Sequence, residues 1–204
     1  MSDTRTTQRR SDGEKTHEVI LKTAMDLASV EGLKNLTIGR LADEVGISKS
    51  GLYAHFGSKE QLQVETVEAA AHVWQQEVLI PGLDAATALD RLQGVPEAFF
   101  SYVERAVFPG GCLFAALLAE FDAQPGPIHD AIENGIRAYL QLLENLAGEA
   151  RDEGGLRDDV DPGQIAFEIE GALHFANYMY VLTGEREMLE RGRAAIRNLV
   201  DGAR

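Results

Sequence analysis

Thr37-Ile-Gly-Arg-Leu-Ala-Asp-Glu-Val-Gly-Ile-Ser-Lys-Ser-Gly-Leu-Tyr-Ala-His-Phe56 is the stretch that decides how this chain is read. It predicts two short helices, Ile38–Val45 and Lys49–Phe56, around a turn at Gly46, where glycine takes a positive φ without steric cost. Two helices meeting at roughly 90–120° need a small residue at the crossing and apolar residues to close the corner. Ala42 meets the first need, and Leu41, Val45, Ile47 and Leu52 are spaced for the second. Ser48, Lys49, Ser50 and Tyr53 make the start of the second helix polar. This is the pattern of a helix-turn-helix, whose second helix presents its N-terminal residues to the major groove of DNA. The free N–H groups and positive dipole at that end also suit phosphate. The competing reading is an ordinary helical hairpin that happens to hold alanine and glycine at these positions.

Upstream, Ile20, Ala24, Leu27 and Ala28 fall at i, i+4, i+7 and i+8, one face of a helix that begins near Glu14. Gly32 stops it. Residues 1–13 are polar, lack periodicity and carry Arg5, Arg9 and Arg10, so a disordered tail is expected there. Downstream, Ser58-Lys59-Glu60-Gln61 reads as a capping box opening a helix that runs to Pro81-Gly82. Further helices are predicted over about 84–107 with a kink at Pro96, then 112–121, 128–152, 161–182 and 185–200. No segment alternates with period two over a strand length. The expected fold is all-α, with a three-helix N-terminal domain over 14–60 and a helical remainder over 61–204.

Composition bounds the function. The 204 residues are 45% hydrophobic and 25% charged, as in ordinary globular proteins. The net charge of −14 seems unsuited to DNA until it is divided along the chain. Residues 1–60 hold 9 basic and 9 acidic side chains; residues 61–204 hold 10 arginines, no lysine and 24 acids. A neutral head with local basic residues can meet phosphate, whereas the acidic body is repelled by it. The acidity also keeps a protein in solution. The one cysteine, Cys112, excludes an internal disulfide and fits a reducing compartment. Its neighbours Gly111 and Leu113 favour a buried structural thiol over a redox sensor. The N-terminus lacks the apolar core of a signal peptide, and the longest apolar run, about 112–119, is far short of the ~20 residues that span a bilayer. A cytoplasmic protein without membrane contact is expected.

No metal site and no cofactor are expected. The five histidines form no i, i+4 pair. Asp159-x-Asp161-x-Gly163 with Glu170 imitates a calcium loop only faintly, because the glycine falls one position early. With neither a phosphate-binding glycine loop nor a Gly-x-Ser-x-Gly elbow, the sequence offers no catalytic constellation, and an enzyme is not expected.

The residues around the motif carry a resemblance. Ile20-Leu21-x-x-Ala24, Gly32, Leu36-Thr37-x-x-x-Leu41-Ala42-x-x-Val45-Gly46-Ile47-Ser48-Lys49-Ser50-x-Leu52-Tyr53-x-His55-Phe56-x-Ser58-Lys59-Glu60-x-Leu62 resembles the tetracycline-repressor (TetR) family over about residues 14–74. Ala28 departs from the aromatic usual after leucine. The resemblance implies that Thr37 hydrogen-bonds a phosphate and that Ser48, Lys49, Ser50 and Gly51 lie nearest the bases. It also implies that Tyr53, His55 and Lys59 contact backbone phosphates, with Arg40 as an extra contact. The alternatives are a packed histidine at 55 and a core aromatic at 53. Arg5, Arg9 and Arg10 either reach a minor groove or stay solvated.

For residues 61–204 the resemblance implies an effector-binding and dimerisation domain. The last two long helices would form a four-helix interface with a second copy, with Ile169, Leu173, Ala176, Tyr180, Ile196 and Leu199 as candidates; packing inside the chain is the alternative. An effector pocket needs apolar walls and a few polar groups. Its candidates are Trp74, Phe99, Tyr102, Phe114, Phe121, Tyr139, His174 and Tyr178, each of which is otherwise plain core. Gly111-Cys112-Leu-Phe114 through Glu120-Phe121 and Pro125-Gly126-Pro127 resembles the regulatory half of one TetR subgroup. The expected function is a ligand-responsive regulator, a repressor, bound as a homodimer to a palindromic double-stranded operator and released by a small-molecule effector. A ligand-binding or protein-interaction module that has lost DNA binding is the second reading.

Overall fold

The computed structural model describes the backbone of residues 3–204 and the side chains of residues 15–204, so the side chains of Arg5, Arg9 and Arg10 lie outside the described residues. Every regular element is helical among the described residues. The chain divides into two compact units, Met1–Ala71 and His72–Arg204.

The first unit contains α1 (Asp3–Glu31), a 3-10 turn (Leu33–Asn35), α2 (Ile38–Val45), α3 (Lys49–Phe56) and most of α4 (Lys59–Trp74). Of the predicted apolar set, Ile20, Ala24, Ala28, Leu41 and Leu52 are fully enclosed, with Leu33 and Leu62 beside them, while Leu27, Val45 and Ile47 are half-buried. The α2 and α3 bounds agree with the periodicity because each end carries its own signal. Thr37 Oγ1 accepts the Arg40 N–H at 3.1 Å and Ser48 Oγ accepts the Gly51 N–H at 3.1 Å, each an N-cap. Gly46, at φ 76°, closes α2 in the left-handed region. The first helix begins at Asp3 instead of near Glu14. Residues 3–12 hold no proline, and a helix nucleated downstream propagates through polar residues at little cost.

The unit boundary falls eleven residues beyond the expected 60/61, inside α4. The first turns of α4 are tied to the head by side chains. Lys59 Nζ donates to Lys34 O at 2.6 Å, Gln63 Nε2 donates to Leu33 O at 2.6 Å, and Glu65 meets His17 at 3.1 Å. The expected capping box is half made. Ser58 Oγ accepts the Gln61 N–H at 3.0 Å, but the Gln61 amide reaches forward to Glu65.

In the second unit a π-helical turn, Gln75–Leu79, joins α4 to α5 (Ile80–Leu83). The helix expected to break at Pro81-Gly82 therefore passes through both residues, with Pro81 in the first turn after the wider π turn. Then come α6 (Ala88–Glu104), α7 (Leu113–Phe121), α8 (Pro127–Asp152), α9 (Pro162–Thr183) and α10 (Glu187–Gly202). α5 crosses α6 at Gly82 and Gly94; a Cβ on Gly82 would lie 2.5 Å from the Val95 Cα, so only glycine permits this approach. Thr87 caps α6, which starts four residues later than expected, and Pro96 stands inside it without ending it. α6 stops at Glu104, short of the expected Val107, and Ala106 takes φ 49°. α9 packs between α8 and α10. Among the described residues no helix is long and apolar enough to cross a membrane, and no cluster of His, Cys, Asp and Glu could hold a metal.

Candidate nucleic-acid interface and interior polar cluster

At the start of α3 the side chains split by position. Leu52 and Phe56 turn inward, while Ser48, Lys49, Ser50 and Tyr53 are exposed, Tyr53 by 57%. The two serine hydroxyls meet at 3.1 Å. Lys49 Nζ lies over Gly39 in the first turn of α2; a Cβ there would stand 3.3 Å from it. Thr37, at the N-terminus of the same helix, is also exposed. The starts of α2 and α3 thus bring one ammonium, four hydroxyls and two sets of unfilled backbone donors to one surface.

The remaining predicted residues are more constrained. Arg40 is held by carboxylates: Nη2 to Glu31 at 2.7 Å, Nε to both Glu31 oxygens, and Nη1 to Glu44 at 2.7 Å. Its hydrogen bonds hold the Glu31 carboxyl below the usual carboxylate range and bind the guanidinium proton more firmly. Lys59, bonded to Lys34 O, is exposed but committed. His55 is exposed, its ring 5.8 Å from that of His17, which stacks on Phe56 at 4.9 Å. A sequence cannot show that Glu31, nine positions away, competes for Arg40.

In the second unit the predicted pocket residues separate into two groups. Phe99 belongs to a packed core with Phe100, Tyr102 and Phe108. Phe114 and Phe121 are half-buried on α7. Trp74 meets Tyr139 at right angles, ring centroids 5.0 Å apart. His174 and Tyr178, whose rings lie 6.0 Å apart on α9, share that helix with Glu170 and with Asn177, which reaches Cys112; the sequence does not single out Cys112 and Glu170 as a pair. Cys112 is enclosed and its backbone N–H donates to Asn177 Oδ1 at 3.0 Å; burial pushes the thiol up to about 11, an inert thiol. Glu170 carboxyl oxygen lies 3.2 Å from His174 Nε2 one turn later, a spacing that the sequence could have revealed. Burial pushes the Glu170 carboxyl up to about 7 and the His174 imidazole down, so the imidazole is neutral near pH 7. Tyr178 donates its hydroxyl to Ala115 O at 2.8 Å, linking α9 to α7. The hydroxyl of Tyr139 is buried without a hydrogen-bond partner, whereas that of Tyr102 lies against Cys112 and the Leu113 backbone. A separate open cleft of about 170 Å³ lies between α6 and α10, lined by Pro96, Glu97, Phe100, Arg193 and Ile196 among others. Its Arg193 is already bound by Glu97, Glu104 and Glu190.

Four of the six dimer candidates pack inside the chain, the alternative that the sequence left open. Ile169, Leu173, Ala176 and Ile196 are at most 5% exposed inside a single chain, and Tyr180 and Leu199 are half-buried. The four enclosed side chains offer no surface to a second copy, whereas Tyr180 and Leu199 keep part of theirs. The stripe read on α9 is its inward face, and periodicity cannot say which protein a stripe faces. The outward face carries Phe167, Gly171, Phe175 and Leu182, with Phe167 and Phe175 each 68% exposed.

Residues 20–66 match the pattern of bacterial regulatory proteins of the tetR family, and residues 88–196 match the tetracyclin repressor-like C-terminal domain. A nucleoid occlusion factor, SlmA, of Vibrio campbellii is 30% identical over 166 residues, 77% of this chain and 81% of that protein. The transcriptional repressor KstR2 of Mycolicibacterium smegmatis is 28% identical over 148 residues, 70% of this chain and 68% of that protein. A TetR regulator from Chloroflexus aurantiacus superimposes with a TM-score of 0.85 at 23% identity, covering 94% of this chain and 95% of that one. AibR, solved with isovaleryl coenzyme A and operator DNA, does so with a TM-score of 0.71 at 24% identity, covering 87% of this chain and 95% of its own. With both halves matched and the helix-turn-helix inside the first, the chain belongs to the TetR family of DNA-binding transcription regulators, which are not enzymes.

Proposed function

We propose that this chain is a cytoplasmic, ligand-responsive repressor that binds a palindromic operator as a homodimer and leaves it when a small molecule binds residues 72–204. The exposed polar start of α3 carries the reading: Ser48, Lys49 and Ser50 face outward while Leu52 and Phe56 fix the helix from beneath. In this reading Lys49, with Ser48, Ser50 and Gly51, meets base edges. Thr37, Tyr53 and His55 meet phosphates. Lys59 and Arg40 join them by exchanging their present partners for phosphate. One such head covers few base pairs, and a dimer reading two half-sites supplies specificity. The outward α9 face, with Phe167, Gly171, Phe175 and Leu182, is the apolar surface offered to the second copy. Supporting the repressor and effector assignments are a relative named as a repressor and a structural neighbour solved with an acyl coenzyme A and operator DNA. Ligand response requires different affinities for two states of the protein.

The test is binding to the DNA upstream of the protein's own gene, by fluorescence anisotropy at fixed salt. Tight binding to an inverted repeat, lost in Phe175→Glu together with dimer mass in light scattering, supports the reading. Equal affinity for that repeat and for random duplex rejects it, in favour of a module that has lost DNA binding.

A further inference from the structure

The ion pairs between α6 and α10 form a ladder. Glu104 takes Arg186 at 3.1 Å and Arg193 at 3.0 Å, and Glu97, two turns earlier on α6, takes Arg193 at 3.0 Å. The two helices therefore run antiparallel here, a step back along α6 matching a step forward along α10. One turn further, this register sets Gln93 of α6 opposite Arg197 of α10, and both line the open cleft of about 170 Å³ between the helices. Where a third carboxylate would complete the ladder, α6 carries a neutral amide.

Arg197 is the exception among its kind. Each of the other nine arginines beyond residue 60 has a carboxylate at 3.9 Å or less, and Arg197 has none among the described residues. Acids are not scarce, since residues 61–204 hold 24 of them. The acid one turn further along α10, Asp201, is turned to Arg204 at 3.8 Å, and Glu97, on the rim of the cleft, is committed to Arg193. A guanidinium keeps its charge at any ordinary pH, so Arg197 offers a standing fork to a carboxylate. The Gln93 amide adds a donor beside it.

The rest of the cleft is apolar. Pro96, Phe100 and Ile196 line it and are buried residues. Arg193, 4.9 Å over the Phe100 ring, has its donors spent on Glu97, Glu104 and Glu190, so it forms a wall and leaves the binding of an anion to Arg197. An apolar cavity of roughly 150 Å³ holds a benzene molecule, which sets the size of the body that fits. The exposed Glu97 disfavours a second negative charge and so selects a monoanion. No residue of α9 lines the cleft, which therefore stands off the apolar α9 face.

We infer that this incomplete rung is a binding site for a small monocarboxylate with an apolar body, the ligand supplying to Arg197 the carboxylate that α6 lacks, while its body lies on Pro96, Phe100 and Ile196. Occupation of the site requires neither DNA nor a second copy.

The test titrates the full chain with three probes of one shape and different charge, benzoate, benzamide and benzamidinium, following backbone amide resonances by NMR. Benzoate should bind at least about tenfold more tightly than benzamide, and benzamidinium more weakly than either. Arg197→Gln should abolish the preference for benzoate and leave the affinity for benzamide unchanged. Gln93→Glu fills the rung from within and should also abolish it. Both residues lie at the surface, so each variant should melt no lower than wild type within about 2 °C. Absence of benzoate binding, equal binding of benzoate and benzamide, or a preference that survives either substitution overturns the site. Loss of dimer mass in Arg197→Gln also overturns it, because the missing carboxylate would then belong to a second copy.

Discussion

The start of α3 and the interior around Glu170 both gather polar side chains, by opposite means. At α3 the groups are exposed, consecutive in sequence and positioned by one helix that two apolar residues hold down. Around Glu170 they are enclosed and come from helices far apart in the chain, so their properties depend on what surrounds them. A group in water keeps its ordinary chemistry, while burial changes which form of a titratable group is stable. A local surface can therefore be altered one contact at a time, whereas an enclosed cluster answers as a unit.

The comparison can be broken first at its foundation. Leu52→Ala removes the fully buried residue beneath the α3 surface and should cost about 2–5 kcal/mol of stability in the first unit. Denaturant unfolding should show that loss together with loss of DNA binding; an unchanged midpoint would mean that α3 does not depend on its buried face. Next, the enclosed cluster should respond to pH. An unfolded chain ionises Glu170 at the ordinary carboxyl value, but the folded one holds its proton up to about 7. Folding is thus progressively disfavoured as pH rises between those values, and the loss is complete above the folded value. Glu170→Gln should be more stable than wild type at pH 8, by about 1–3 kcal/mol, with the gap closing toward pH 4. His174, whose pKa is lowered, contributes the opposite slope, losing stability as pH falls, and it is present in both proteins. Parallel thermal midpoints across that range would refute the enclosed carboxyl.

The exposed surface should show smaller and separable effects. Lys49→Ala should weaken operator binding by about 1–3 kcal/mol and relax sequence preference. Equal affinities for wild type and variant on one duplex would remove Lys49 from the bases. Lys59→Ala should have the smallest effect, weakening all sequences alike and flattening the salt slope by about one. A slope unchanged from wild type would show that Lys59 keeps its bond to Lys34 O when DNA is bound.

The same contrast explains what could be read without coordinates. The bounds of α2 and α3 follow from Thr37, Gly46 and Ser48, all within a few residues of the helices they cap. Apolar periodicity was enough to identify the inward face of α9. It could not say that Ile169 and Leu173 face α8 and α10 instead of a second copy, because a stripe records burial and not the owner of the opposing surface. Arg40 looked available until Glu31 and Glu44 were placed beside it. The interior of the second unit is half visible in sequence: His174 and Tyr178 stand out as ring-bearing residues, but Glu170, one turn before His174, carries no signal of its burial.

The π turn at Gln75–Leu79 bears on how relatives of this chain are aligned. Such a turn is an insertion of one residue into an α-helix, which keeps its axis while rotating the following side chains by about 100°. Relatives without it should align with a one-residue gap near this point, and deleting a residue there would turn the Gly82 side of α5 away from α6.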